Sequence, residues 1–158
     1  MSQVVGWRPE WREAFERLNR EWIERWFEVE DADRETFRDP GAAIVAPGGQ
    51  ILFVVENGEP LGTCAVVRHD GETYEIAKMA VAPAARGQGS GERLMDAAIA
   101  FARERGARRL VIVSNTRLAP AIRLYEKHGF VRVPMERDDR YARADIRLEL
   151  ELEENRVR

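Results

Sequence analysis

Residues 74–114 carry a strand, a glycine-rich loop, a helix and a second strand in that order, and this unit dictates most of what the chain can become. The run from Tyr74 to Val81 is strand-like and ends at Pro83. In the segment VAPAARGQGSGERLM, residues 81–95, Gly87, Gly89 and Gly91 then occupy every second position. From about Gly89 to Arg105 the apolar spacing is helical, and Gly106 suits a C-terminal cap. The segment RRLVIVS, residues 108–114, reads as a buried strand. Two strands joined through a helix lie parallel, with a right-handed crossover. A glycine at a strand-to-helix handover costs backbone entropy, so the loop serves a purpose that side chains would obstruct.

The remaining segments supply the rest of a mixed sheet. Residues 4–8 form a short first strand, and residues 10–28 form a helix. Trp11, Phe15, Leu18, Trp22 and Trp26 share one face of that helix, while Glu13–Arg17, Glu16–Arg20 and Glu21–Arg25 sit in the favourable i, i+4 order. A second helix covers residues 31–38. Asn57-Gly58 and Asp70-Gly71 mark hairpin turns between three successive strands. Pro120 opens a further helix that stops before Gly129. Residues 130–136 and 144–152 are late strands, and the second alternates with Ile146, Leu148, Leu150 and Leu152 on one face. The predicted order is β-α-α-β-β-β-α-β-α-β-β. This is an α/β (α+β) fold with a mostly antiparallel mixed sheet, helices on both faces and one domain over residues 1–158. Only residues 153–158 look frayed.

Bulk properties exclude several partners. A net charge of −3 gives no push toward nucleic acid or an anionic membrane. No apolar run approaches a membrane span, and the N-terminus lacks the features of a signal peptide, so the expected address is the cytoplasm. The lone Cys64 fits a reducing compartment and reads as a small buried residue. His69 and His128 are far apart and lack a ligand-spaced partner, so no metal site is expected. No Ser-His-Asp or Cys-His pattern stands out.

Phosphate-binding patterns narrow the loop's role. A P-loop needs Gly-Lys-Ser/Thr, but Gly91 is followed by Glu92 and Arg93. A dinucleotide loop needs G-x-G-x-x-G and a later acid; here the spacing is G-x-G-x-G and ARRLVIV holds no acid. What remains is a set of backbone N–H groups at a helix N-terminus, where they lack intrahelical partners and sense the positive end of the dipole. A ligand-free turn fits the loop alone equally well.

Downstream residues complete a pattern. Arg86, Gly89 and Gly91 match Arg/Gln-x-x-Gly-x-Gly/Ala, and Ala121, Ile122, Leu124, Tyr125, Lys127, Gly129 and Phe130 match A-I-x-L-Y-x-K-x-G-F. With these motifs the chain resembles the GNAT acetyltransferase superfamily, and its two ends look like a bacterial subgroup found alone or fused to MarR-type regulators. Position 90 departs from the pattern, with Ser90 where a larger apolar residue is usual. The resemblance implies a sheet splayed between strands four and five, and acetyl-CoA as cosubstrate. It places the pyrophosphate on the amides of Arg86, Gly87, Gln88, Gly89, Ser90 and Gly91, and the pantetheine arm against the main chain of Met79 and Val81. Asn115, at the end of the next strand, is a candidate for a side-chain bond to the pantetheine.

The same resemblance assigns catalytic roles. The Met79 N–H would hold the oxyanion, Tyr125 would serve as acid to the leaving sulfur, and Glu75 would serve as base, directly or through water. Ideal alternation puts Glu75, Ala77, Met79 and Val81 on one face, which a bulge would change. Lys78 reads as structural or superficial. The first two helices would wall the acceptor site, with Trp7, Trp11, Trp22 and Trp26 mainly as core, and Arg20, Glu21 and Glu24 as candidate contacts. The implied reaction is direct acetyl transfer to a primary amine of a small molecule, amino acid or peptide. A non-catalytic acyl-CoA sensor, a longer acyl donor and a homodimer stay open.

Overall fold

A computed structural model describes residues 2–136, 138 and 140–152. Its elements, in chain order, are β1 (Gln3–Val5), α1 (Arg12–Trp26), α2 (Asp31–Arg38), β2 (Gln50–Glu56), β3 (Glu59–Arg68), β4 (Thr73–Val81), α3 (Ser90–Glu104), β5 (Arg109–Ser114), α4 (Ala119–Lys127), β6 (Val131–Val133) and β7 (Ile146–Glu151). This is the order predicted from the sequence. Boundaries differ at the ends: the first strand is three residues long, and α1 is preceded by a 3-10 turn at Pro9–Trp11. A π-helical turn at Gly41–Val45 was not foreseen, because proline and glycine flank it and the pattern reads as loop. The expectation that residues 153–158 fray lies outside the described residues.

The seven strands form one sheet in the order β1-β2-β3-β4-β5-β7-β6. Only β4 and β5 are parallel; every other neighbouring pair is antiparallel. Asn57 and Gly58 both take positive φ, as a tight hairpin between β2 and β3 requires. Asp70 closes the β3–β4 turn, its carboxylate accepting from the N–H groups of Glu72 and Thr73. The β4–β5 pairing ends early, at Glu75 with Val111, although both strands continue. The C-terminal halves of these two strands therefore diverge, as the resemblance implied.

Two cores sandwich the sheet. On one face Phe15 and Ile23 of α1 and Phe37 of α2 pack on Ile51, Phe53 and Ala65. On the other, Leu94 and Met95 of α3 and Ile122 and Tyr125 of α4 pack on Leu110 and Leu148. Ile146, Leu148, Leu150 and Leu152 all join this second core, as their alternation predicts. Each fully buried Leu or Phe contributes roughly 1.5–3 kcal/mol, so these two faces hold α1 and α3 firmly on either side of the β4–β5 divergence. Among the described residues no helix is long and apolar enough to cross a membrane.

Candidate active site

The glycine loop delivers the chain into α3 through two left-handed residues. Gly87 and Gly89 both have φ of +82°, and Gly89 is the N-cap of α3. An L side chain there is strained by about 1–2 kcal/mol. Gly91 has a different purpose. A Cβ at that position would lie 3.2 Å from the Leu124 side chain, so this glycine lets α4 approach α3 rather than clearing room for an anion. Arg93 donates to the Gly89 carbonyl and begins the helical ladder; the N–H groups before it have no helical acceptor. The Arg86 guanidinium donates to the Val81 carbonyl at 3.1 Å and to Glu21 of α1 at 2.7 Å, and it lies 5.2 Å above the Trp22 ring. Gln88 is exposed, its side chain reaching the Ala84 carbonyl at 3.4 Å. Ser90 is buried in the first turn of α3.

A bulge in β4 corrects the simple alternation. The β3–β4 register shifts between Thr63 and Ala65, with one extra residue on the β4 side, and Lys78 there has φ of +54°. Glu75 and Ala77 precede the bulge. Beyond it Met79 and Val81 pack with Tyr74 and Ile76 on the α3 face, not on the face of Glu75. The bulge also turns Lys78 inward: its side chain is 7% exposed, so it is not superficial.

Two cavities meet behind this bulge. One, lined by Val81, Arg86, Gly87, Gly89 and Gly91, runs from the glycine loop. The other, about 220 Å³, is lined by residues of α1, β4 and β5 and by Arg140, Tyr141 and Arg143 of the β6–β7 connection. Trp22, Met79, Leu118 and Tyr125 line both. Trp22 is thus a cavity wall and Trp26 is 38% exposed, whereas Trp7 and Trp11 pack on Phe53 as core residues.

Tyr125 stands at this junction. Burial pushes its phenol up to about 12, with a hydrogen bond to Ser114 acting in the opposite sense. It is a neutral hydroxyl at any physiological pH. Ser114, at the end of β5, has no sequence signal of its own; only the meeting of β5 and α4 reveals it. Asn115 is already engaged within the chain. Its amide donates to the Arg143 carbonyl at 2.7 Å and its oxygen accepts from the Arg117 N–H at 2.8 Å, so it ties the β5 end to the β6–β7 connection.

Glu75 and Asp33 anchor two buried charge clusters. Glu75 is 4% exposed; its Oε1 lies 2.6 Å from His69 Nε2, and Arg140 reaches its two oxygens at 3.3 and 3.4 Å. Burial opposes its ionisation, but His69 and Arg140 outweigh burial and hold the carboxyl below the usual range. Asp33 of α2 is fully buried. It receives Lys78, both terminal nitrogens of Arg143 at 2.7 and 2.8 Å, and the Glu30 N–H at 2.9 Å. Burial alone would raise its pKa; Arg143 and Lys78 overcome that and bring it down to about 2. Asp33, Arg140, Tyr141 and Arg143 were not foreseen, because the fold assembles them from positions over a hundred residues apart. Of the foreseen α1 contacts, Glu21 faces the loop through Arg86, while Arg20 pairs with Glu16 at 2.7 Å along its own helix. Among the described residues no group of three or more His, Cys, Asp or Glu is placed to hold a metal ion.

A glycine loop at a helix start, a diverging strand pair and a tyrosine between two cavities make up the site, and comparison with known proteins gives its family. The model of the acetyltransferase (GNAT) family matches residues 11–130. The chain belongs to the acetyltransferase (GNAT) family. It is 38% identical over 104 residues to a streptothricin acetyltransferase of Streptomyces lavendulae, covering 65% of this chain and 48% of that protein. It is 32% identical over 80 residues to a mycothiol acetyltransferase of Corynebacterium glutamicum (strain R), covering 51% of this chain and 27% of that protein. The matched regions thus span half or less of these relatives' length. Among solved structures, yncA of Salmonella typhimurium, determined with its cofactor acetyl-CoA, superimposes with a TM-score of 0.78 at 20% identity over 98% of this chain and 95% of that one.

Proposed function

We propose that this chain is an acetyl-CoA-dependent N-acetyltransferase that moves the acetyl group to a primary amine by direct attack within a ternary complex. The observation that carries the reading is the junction: a loop suited to a diphosphate opens one cavity, and that cavity meets the second at Met79 and Tyr125. The amides from Arg86 to Gly91 hold the diphosphate, each charge-assisted bond contributing roughly 1.5–3 kcal/mol. The pantetheine arm lies along the backbone of Met79 and Val81, where β4 has left β5. Asn115 borders its path and keeps the β5 end in place.

The amine enters from the second cavity. An ordinary alkylammonium titrates near 10, so it must shed a proton before it attacks. Glu75 receives that proton, directly or through a water. The tetrahedral oxyanion forms against the Met79 N–H. Collapse expels the coenzyme thiolate toward Tyr125. Complete proton transfer from a phenol near 12 to a thiolate near 8.5 is uphill by on the order of 5 kcal/mol. Tyr125 therefore acts mainly by donating a hydrogen bond to the departing sulfur. Cys64 is no alternative nucleophile: it is buried, and burial pushes its thiol up to about 12.

Thiol release from acetyl-CoA across a panel of amines tests the reading, with mass spectrometry of the acetylated product. Tyr125→Phe should lower kcat roughly 10²-fold while changing the KM for acetyl-CoA less than threefold. Tight acetyl-CoA binding without thiol release from any amine would instead support a non-catalytic acyl-CoA sensor. No acetyl-CoA affinity would defeat both.

A further inference from the structure

We propose that the acceptor carries a carboxylate as well as its amine, so that the second cavity is built for an amino-acid-like compound rather than for a simple amine. This rests on the acetyltransferase reading above and deepens it. Unused hydrogen-bonding capacity around the cavity points to such a compound.

Lys78, Arg140 and Arg143 all line the cavity, and Glu75 is the one carboxylate among its lining residues. The cations do have anionic partners: Glu75, which pairs with Arg140, shares the cavity, whereas Asp33, which serves Lys78 and Arg143, does not line it. Asp33 is fully buried, and its two oxygens already take four donors: Lys78, two from Arg143 and the Glu30 N–H. With about four acceptor sites on a carboxylate, Asp33 is saturated and has nothing left for a ligand's ammonium. Among the described residues the donors are not saturated. Lys78 has three N–H donors and uses them on Asp33 and Tyr141. Arg143 has five, with bonds recorded only from its two terminal nitrogens. Arg140 likewise bonds through its terminal nitrogens, and its side chain is 47% exposed.

The three cations gather around one ring. The charged ends of Lys78, Arg140 and Arg143 lie 4.5, 5.6 and 4.5 Å from the Tyr141 ring centre. The Tyr141 hydroxyl accepts from Lys78 at 2.9 Å, which leaves its own hydrogen to donate. Several donors grouped around a hydroxyl, with their buried carboxylate saturated, fit an oxyanion. Glu75 keeps lone-pair capacity at the same cavity, which fits the acceptor's ammonium. The volume of about 220 Å³ lies below the roughly 300–1,000 Å³ of drug-sized sites. It suits a compound of amino-acid size.

The test uses two readouts on the full chain. First, matched acceptors are compared by thiol release: a set of α- and ω-amino acids, their amides, and the corresponding amines without the carboxyl group. The carboxylates should exceed their neutral counterparts at least tenfold in kcat/KM. Second, CoA-loaded protein is titrated calorimetrically with N-acetyl amino acids and with the N-acetyl amides, which needs no turnover. The acids should bind at least tenfold more tightly. Tyr141→Phe and Arg140→Gln should each reduce that preference severalfold with the CoA affinity unchanged. Amides that match the acids, or no measurable binding of either, would overturn the proposal. Thiol release with neutral amines alone would overturn it while leaving the acetyltransferase reading intact. Preferential binding of the acids without any thiol release would sustain the oxyanion site and defeat the reading it rests on.

Discussion

The two cavities present different kinds of group to whatever enters them. The loop side uses main-chain groups: N–H donors at the start of α3, held open by left-handed Gly87 and Gly89. The second cavity offers side chains delivered from α2, β4 and the β6–β7 connection, braced by Asp33 and Glu75. Main-chain recognition depends on backbone shape, which a handful of consecutive residues determines. Side-chain recognition depends on which distant segments the fold brings together. The first therefore tolerates almost any neighbour, while the second changes with a few substitutions. On the function proposed above, one scaffold can thus keep a coenzyme and exchange acceptors.

This contrast can be broken at either end. The largest effect should come from Gly89→Glu, which puts a bulky anion where the left-handed backbone and the diphosphate seat coincide. Loss of two charge-assisted bonds predicts acetyl-CoA affinity weakened on the order of 10³-fold by calorimetry, with the acceptor cavity undisturbed. If affinity survives, the loop is not the seat. Next, Asp33→Ala leaves Lys78 and Arg143 in a low-dielectric site without their carboxylate. Uncompensated buried charge predicts a loss of roughly 3–5 kcal/mol in urea unfolding. A loss below about 1 kcal/mol would mean that the cluster is not buried in solution.

Acid provides a smaller and more selective perturbation. The folded-state pKa of Asp33 is depressed from 3.8 to about 2. Its contribution to stability is therefore complete above pH about 4 and disappears as pH falls through about 2. The linked free energy is about 2 kcal/mol. Glu75 is depressed in the same direction and adds to the same acid-side loss. Unfolding curves from pH 5 to pH 2 should decline less steeply in Asp33→Asn than in the parent. The smallest effect belongs to Ser114→Ala. Removing one hydrogen bond of about 1 kcal/mol should lower kcat about fivefold and move the Tyr125 titration further upward, as followed by ultraviolet absorbance. An unchanged tyrosine titration would remove Ser114 from the junction.

The same contrast explains what was legible in the sequence. Gly87, Gly89 and Gly106 announce their turns because positive φ is a local demand. The parallel pairing of β4 and β5 follows from a helix joining two strands, whereas their divergence came only from the family resemblance. Ile146, Leu148 and Leu150 announce their shared face by alternation. Glu75 and Tyr125 could be singled out, but not their partners. His69 looked isolated because its carboxylate lies six residues away across a turn. Asp33 and Arg143 are separated by 110 positions and carry no spacing signal. Gly91 shows the converse: it fits the loop pattern, yet its lack of a side chain is explained by Leu124 on a different helix.

The bulge at Lys78 gives β4 a parity. Deleting that one residue would restore regular alternation and still leave Met79 and Val81 on the α3 face with Tyr74 and Ile76, at the cost of the inward cation. Shortening β4 by the bulged residue therefore keeps the walls of its two rooms, whereas a further single-residue deletion would exchange them. Anyone grafting a new acceptor chamber onto this scaffold has to count residues in β4 before choosing them.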